Sequence, residues 1–520
     1  MSKKIEYGDF QTPLELAIEV VNLIDKIVGR PSMVIEPTCG IGNFIQAAHQ
    51  VWGDSTQYNG YEINKNYYNL LIKIYKNNKN VTINLSDFFI TDWEQILNTK
   101  ELLIIGNPPW VTNSILSSLN SDNLPKKNNF QKYRGYDAKT GKANFDIAEW
   151  MIIKLIEAMQ IGHHLALLCK TATARKVLFH FWKQNPIIAE AKIFHIDAKK
   201  SFNVNVDACL LFVKKINTSR FFAEAYNDLK HSNYAYRFGI KNNELISNID
   251  NYEKYKFLDG FSNYKWRSGV KHDASKVMEL TIKNEIYYNG FGEIADIEDS
   301  FVYPLLKSSD LGNNRRIPRK YVIVTQKNIG EDTNVISSEA PKTWNYLNHY
   351  SEILNNRKSS IYKNKPKYSI FGIGNYSFSQ WKVAISGLYK AIHFMAIPPY
   401  KEKPMMVDDT CYFIPCHNEK EALIWEKLLN SKQCIDFLNS LIFYDAKRPI
   451  TNDILKRINL GELASSKKMF VEVQKYLESP YELYSKEQRL LVFDKIAIDS
   501  TIDNSHIHSQ INLEHGLILK

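Results

Sequence analysis

The chain reads as an α/β protein built on a doubly wound, mostly parallel sheet of seven strands, with a mixed α/β or β-rich domain after it. Three observations predict this. From Met33 to Lys215, short apolar runs alternate with longer stretches of helical spacing, the order expected of βαβ units. A glycine-bearing turn directly follows the first apolar run, as at the first crossover of such a sheet. Beyond Lys214 the rhythm stops, and 520 residues leave room for a further domain at about 100–200 residues each.

The predicted strands are Met33–Glu36, Tyr58–Glu62, Val81–Asn84, Glu101–Ile105, His164–Cys169, Ala191–His195 and Asp207–Val213. Each is a short, largely apolar run, too brief for a helix. Between them, Asn43–Val51, Asn64–Tyr75, Phe145–Met159 and Thr173–Trp182 carry apolar residues three and four apart and read as helices. This puts the sheet domain at 1–215, a linking region at 216–251, a second domain at 252–461 and a helical segment with a tail at 462–520. The second domain is rich in Tyr, Lys, Asn, Gly and Pro, with a strand-like run at Tyr321-Val-Ile-Val-Thr325 and a turn at Asn289-Gly290. Helical spacing returns from Phe470 to Asp499.

Composition removes several classes. Six scattered cysteines do not make a disulfide framework in a chain this long, and a reducing cytoplasm is the simpler setting. Cys411, Cys416 and His417 lack a second Cys/His pair at zinc spacing, so no metal site is expected. No apolar run of 18 residues and no apolar leader is visible, which predicts neither a membrane span nor an export signal. Lys+Arg 66 against Asp+Glu 56 leaves +10, which permits an anionic partner without requiring one. Aromatic residues make up 12%, and rings interleaved with lysines suit stacking on bases as well as core packing.

Two loops carry the chemistry. The first, Glu36-Pro37-Thr38-Cys39-Gly40-Ile41-Gly42, joins a strand to a helix start, where glycines admit a close ligand and the first helical amides are free. Glu62 ends the next strand about 20 residues on, where a carboxylate can accept ribose hydroxyls, and Asp87-Phe88 ends the third with an acceptor and a ring. Three acidic tips in succession suit an adenosine ligand. Glu36 would repel a dinucleotide pyrophosphate but pair with the ammonium of a methionine moiety, so S-adenosylmethionine fits better than NAD.

The second loop, Asn107-Pro108-Pro109-Trp110, follows the fourth strand. Its prolines stiffen the turn and remove amide donors, leaving carbonyl acceptors and the Asn107 side chain. Such acceptors can hold an exocyclic amino group or an amide, and they bind the nitrogen more strongly as it becomes cationic and tetrahedral. Trp110 offers a face for a planar base, stacking being worth about 1–3 kcal/mol per base.

In this order, Phe10-Gln11-Thr12-Pro13, the Glu36–Gly42 loop, Tyr61-Glu62-Ile63, Asp87-Phe88 and Asn107–Trp110 resemble the motifs of DNA adenine N6-methyltransferases of the gamma motif order, found in type II restriction–modification systems. The resemblance covers about the first 215 residues by motif and the rest by position and general character. It implies an S-adenosylmethionine-dependent enzyme that methylates the N6 amino group of an adenine flipped out of duplex DNA, and so protects that DNA from a cognate endonuclease. Carried over by position, Thr12 and Pro13 close over the methionine part of the cofactor. Glu36, Pro37, Thr38, Cys39, Gly40 and Gly42 form its loop, Glu62 takes its ribose, Ile63 next to it also belongs to the cofactor site, and Asp87 with Phe88 form its adenine side. Asn107, Pro108, Pro109 and Trp110 take the target amino group and base, and Phe202 closes the base's other face. The chain departs from the pattern in having Trp110 where Tyr or Phe is commoner, and Thr38 for one glycine.

A flipped base needs a reader of the site, and the second domain takes that role. Arg267, Lys271, Arg315, Arg316, Lys390 and Arg448 are candidate DNA contacts there. Lys126, Lys127, Arg134, Lys139 and Lys142 form a basic loop suited to tracking a backbone or covering the site. The Pro186…Glu190-Ala-Lys192 run superficially matches a metal-nuclease pattern but lies at a strand of the sheet. The expected partners are therefore double-stranded DNA and a separate restriction endonuclease, with a monomeric enzyme favoured. Release-factor glutamine, a ribosomal RNA base and cytosine N4 remain open as other planar nitrogens, and a catalytically silent DNA-binding subunit is the reading from another class.

Overall fold

The computed structural model describes residues 11–99, 101–111, 146–184, 188–218 and 220–481. They fall into two compact units, the first ending at Glu253 and the second starting at Lys254.

In the first unit the seven expected strands are β1 (Met33–Glu36), β2 (Gln57–Glu62), β3 (Val81–Leu85), β4 (Leu102–Gly106), β5 (His164–Lys170), β6 (Ile188–Ile196) and β7 (Ala208–Lys215). Around them lie α1 (Leu14–Val28), α2 (Asn43–Trp52), α3 (Lys65–Ile74), α4 (Trp93–Ile96), α5 (Ile147–Ala158), α6 (Thr171–Gln184) and α7 (Ala198–Phe202). The sheet has ten strands, not seven. Its order is β10-β9-β8-β6-β7-β5-β4-β1-β2-β3, where β8 is Phe222–Tyr226, β9 Tyr236–Lys241 and β10 Glu244–Ile246. The stretch 216–251, expected as a linker, therefore extends the sheet: β8 pairs in parallel with β6, and β9 and β10 fold back as a meander. Its strands are short and separated by polar residues such as Asp228, Lys230 and His231, so periodicity alone reads them as a connection. Among these strands β7 and β9 run against the rest, and β10, antiparallel to β9, returns to the common direction.

Helix α1 was not among the predicted elements. It nonetheless buries Leu16, Ala17, Val20, Val21 and Ile24, one apolar stripe at helical spacing. The important topological fact is that β1 lies between β2 and β4, so the winding direction reverses there. Ligands of doubly wound sheets bind at the carboxyl ends of the strands at such a reversal.

The second unit holds two smaller sheets. One has the order β11-β19-β16-β17, from Arg267–Ser268, Cys411–Cys416, Trp381–Ser386 and Phe394–Ile397. The other has the order β13-β12-β15-β14-β18, from Ile286–Tyr288, Glu279–Lys283, Lys320–Ile323, Val302–Leu306 and Met406–Val407. Val277, Leu280, Val302, Val322 and Leu347 centre one apolar core, and Leu306, Ala384, Ile397 and Phe413 another. The expected helix from Phe470 runs to Glu478, and its continuation past 481 lies outside the described residues. So do Phe10, Pro186 and the basic loop Lys126–Phe145. Among the described residues, no helix is long and apolar enough to cross a membrane.

Candidate active site

The carboxyl tips of β1, β2 and β4 bring the two sequence loops together. Gly42 opens α2 with φ +80°, a left-handed conformation that glycine adopts without strain, while an added Cβ would lie 2.6 Å from Leu71. The Glu62 carboxylate holds this turn in place: Gly40 N–H donates to Oε2 at 2.6 Å and Asn64 N–H to Oε1 at 2.6 Å. Glu36 is buried beneath, with Ile45 N–H donating to its Oε2 at 3.2 Å. Burial, and then the nearby charge of Glu62, raise the Glu36 carboxyl well above the usual range, against the Ile45 bond.

The N-terminal segment covers the same turn. Ile41 N–H donates to Gln11 Oε1 at 3.1 Å, and Asn43 Nδ2 to the Thr12 carbonyl at 2.7 Å. Thr12 is buried and Pro13 precedes α1. Pro37 and Cys39 are buried, Thr38 half-buried, and Cys39 N–H is tied to the Tyr61 carbonyl at 2.9 Å. Ile63 stands 46% exposed beside the nearly buried Glu62, leaving an apolar surface at the tip of β2. At the tip of β3, Asp87 Oδ1 accepts from Phe89 N–H at 2.8 Å, and Phe88 packs against Trp93 at 4.9 Å.

The Asn107–Trp110 turn adjoins this cradle. Gly106, at φ +155°, ends β4 beside β1, and a Cβ built on it would make ordinary van der Waals contact with Glu36 Cγ at 3.4 Å. Asn107 is half-buried and Trp110 buried. The Trp110 indole N–H donates to the Leu168 carbonyl of β5 at 3.3 Å, a bond that Tyr or Phe at this position could not make with a ring nitrogen. Phe202 meets the indole edge-on, ring centroids 5.1 Å apart at 67°. Two aromatics some 90 residues apart in sequence are thus in contact. Next to Phe202, residues 195–199 and 204–208 line a cavity of about 300 Å³.

One residue at the turn was missed by sequence reasoning, while its partner Asp146 lies in a stretch, Lys142 to Ile147, that fits the next motif of the resembled family. Lys170, the last residue of β5, donates from Nζ to the Trp110 carbonyl at 3.1 Å and to Asp146 Oδ2 at 2.7 Å. Asp146 caps α5 through Ala148 N–H and is buried; desolvation raises its carboxyl, while Lys170 pulls it down. An Asp directly before an apolar helical run is a readable cap, but nothing in the sequence links it to Lys170. Replacing Lys170 with Met would leave a buried carboxylate without its cation and release the end of the turn. It is expected to cost about 3 kcal/mol in chemical denaturation and to lower kcat about tenfold, with Lys170→Arg recovering part of both. A Lys170→Met enzyme of unchanged kcat would show that the turn stands without this tie.

The candidate DNA contacts all lie in the second unit, most of them engaged within it. Arg267 stacks on Tyr376 at 4.6 Å. Lys271 and Arg448 meet at Asp409, at 3.8 and 3.5 Å, and Lys271 also reaches Asp273 at 2.9 Å. Arg315 pairs with Asp310 at 3.1 Å and Arg316 with Glu426 at 2.8 Å, while Lys390 is exposed. Lys192 of the nuclease-like run bonds Glu224 at 2.9 Å and Glu190 at 3.3 Å within the β6–β8 part of the sheet.

No protein-family profile matches the chain. The type II methyltransferase M.NspV of Nostoc sp. is 46% identical over 469 residues, spanning 89% of this chain and 98% of the relative. The type II methyltransferase M.HindII of Haemophilus influenzae is 25% identical over 333 residues, 60% of this chain and 57% of the relative. Among solved structures, the Type IIL restriction-modification enzyme MmeI, determined in complex with DNA, aligns with TM-score 0.50 at 14% identity, over 94% of this chain and 72% of that one, and shows a shared fold. S-adenosylmethionine is the cofactor of such an enzyme, and the tips of β1 and β2 fit it: two carboxylates suit a cationic amino acid and a ribose, and the exposed Ile63 suits an adenine ring. The chain belongs to the type II methyltransferases of restriction–modification systems.

Proposed function

We propose that this methyltransferase modifies the N6 amino group of an adenine flipped out of a specific site in duplex DNA. The observation that carries the reading is the Asn107-Pro-Pro-Trp110 turn at the tip of β4, its indole meeting Phe202 edge-on and the residue before it, Gly106, lying beside Glu36. When bound, S-adenosylmethionine supplies a methyl group on a cationic sulfur. The chain's own residues do the rest. Pro108 and Pro109 offer only carbonyls, and with the Asn107 side-chain oxygen these acceptors take the two amino hydrogens. They draw the nitrogen out of conjugation and favour its cationic form, so no strong base is needed before methylation begins. Trp110 and Phe202 hold the two faces of the base, and Thr12, Pro13, Asp87 and Phe88 complete the cofactor side. Site selection falls to the second unit.

Parallel assays of tritiated methyl transfer to duplex DNA, ribosomal RNA and release factor test the substrate, and single-molecule sequencing of DNA from expressing cells gives base and site. Label in RNA or protein alone, or on cytosine, overturns the reading.

Glu36 sets a pH dependence. Its raised pKa means the carboxyl must ionise to pair with the cofactor's ammonium, so the pairing is present above that pKa and lost as pH falls through it. Cofactor affinity is therefore expected to fall on acidification and binding to release a proton, read by calorimetry in buffers of different ionisation enthalpy. Glu36→Gln should abolish the proton release and weaken binding about tenfold.

A further inference from the structure

We infer that Asp310, Arg315 and Arg319 form a guanine-reading site, in which the buried carboxylate aims two guanidinium groups at the major-groove edge of a guanine in the recognition sequence. This rests on the DNA reading above and names the element of the second unit that selects the base.

Asp310 is 1% exposed, in a short helix (Ser308–Gly312) after β14. Its Oδ2 accepts from Lys307 N–H at 3.0 Å. Its Oδ1 takes three bonds from two arginines: Arg319 Nε at 2.9 Å, Arg319 Nη2 at 2.6 Å and Arg315 Nη1 at 3.1 Å. One cation would neutralise one carboxylate, so the second guanidinium leaves the group net positive. Both arginines remain open outward, with 39% of the Arg315 side chain and 56% of the Arg319 side chain exposed.

The geometry of Arg319 is the telling part. A guanidinium has a side-on edge, Nε with one Nη, and an end-on pair, Nη1 with Nη2. Arg319 gives its side-on edge to Asp310, which fixes the plane of the group and leaves the end-on pair directed away, save for a long 3.4 Å contact of Nη2 with Ser309 Oγ. That pair matches the O6 and N7 acceptors of guanine, and a fork already held in one orientation loses less freedom on binding.

The neighbourhood is built for base edges. The β16–β17 loop packs onto this helix, the Tyr389 ring lying so close to Gly312 that an added Cβ would stand 2.4 Å away, and the Ser308 and Ser386 hydroxyls bonding each other. Polar side chains of the two loops meet beside this helix, Asn313 Nδ2 lying 3.5 Å from Tyr389 Oη and Asn314 Oδ1 3.4 Å from His393 Nε2. Asp310 touches no base in this scheme; it is a positioning residue.

The test replaces each guanine of the recognition site in turn with 7-deazaguanine, which keeps pairing but lacks the N7 acceptor, and measures kcat/KM with the full-length enzyme. At one guanine the wild-type enzyme should lose about 10- to 100-fold. Arg319→Lys should show that loss on the unmodified duplex and no further loss at 7-deazaguanine there, while the other positions keep their full effect. Asp310→Asn should behave alike. A merely structural salt bridge would lower activity equally on every duplex, and a phosphate contact would act equally while flattening the salt dependence. Wild-type indifference to 7-deazaguanine at every guanine, a site without guanine, or losses that add in Arg319→Lys would each overturn the proposal, and the wild-type arm needs no variant to fold. An enzyme that methylates no duplex fails the parent reading instead.

Discussion

Asn107→Ala is expected to lower the single-turnover rate of methyl transfer by about 10²- to 10³-fold while leaving cofactor affinity within about twofold. The side chain sits half-buried at the tip of β4, after Gly106, which lies beside Glu36. Truncating it removes an acceptor that binds the reacting nitrogen more tightly in the transition state than in the ground state, so the loss falls on kcat and kcat/KM together. The turn itself keeps its shape, because two prolines stiffen it and Trp110 is tied to β5. Quenched-flow methylation with calorimetry of cofactor binding separates the two quantities. Full transfer activity in Asn107→Ala would falsify the assigned role.

Glu62→Ala should act on the other side, weakening cofactor binding more than about 100-fold. Each oxygen of this carboxylate already accepts a backbone N–H, from Gly40 in the turn and from Asn64 at the start of α3. Such charge-assisted bonds contribute about 1.5–3 kcal/mol each. Their loss frees the turn just where it must contact the ligand. Glu62→Gln, keeping one oxygen acceptor, should lie between. Equilibrium dialysis with labelled cofactor reads both, and an affinity within tenfold of wild type in Glu62→Ala would place the ribose elsewhere.

What the sequence disclosed follows from the range of each signal. The strands β1 to β7 are apolar runs whose hydrophobicity comes from local composition, and their boundaries match to within a few residues. The tips Glu36, Glu62, Asp87 and Asn107 were nameable because each closes such a run or follows it within two residues. Strands β8 to β10 were not, since a three-residue strand such as Glu244–Ile246 exists only through its pairing with β9. In the second unit β11 has just two residues, opposite Phe413 and Tyr412. Lys170 escaped for the same reason: its bond to the Trp110 carbonyl spans 60 residues of sequence. Arg319 likewise looks like any surface arginine until Asp310 is seen buried behind it.

The two aromatic jaws differ in anchorage. Trp110 is fixed to β5 by its ring nitrogen and its carbonyl, whereas Phe202 ends the five-residue α7, just before Asn203 at φ +54°. A base stacked on both rings needs about 3.4 Å on each face, as between neighbours along one DNA strand, or about 7 Å in all. The rings stand 5.1 Å apart and edge-on, so on the proposed reading Phe202 must turn or shift to admit a base between them.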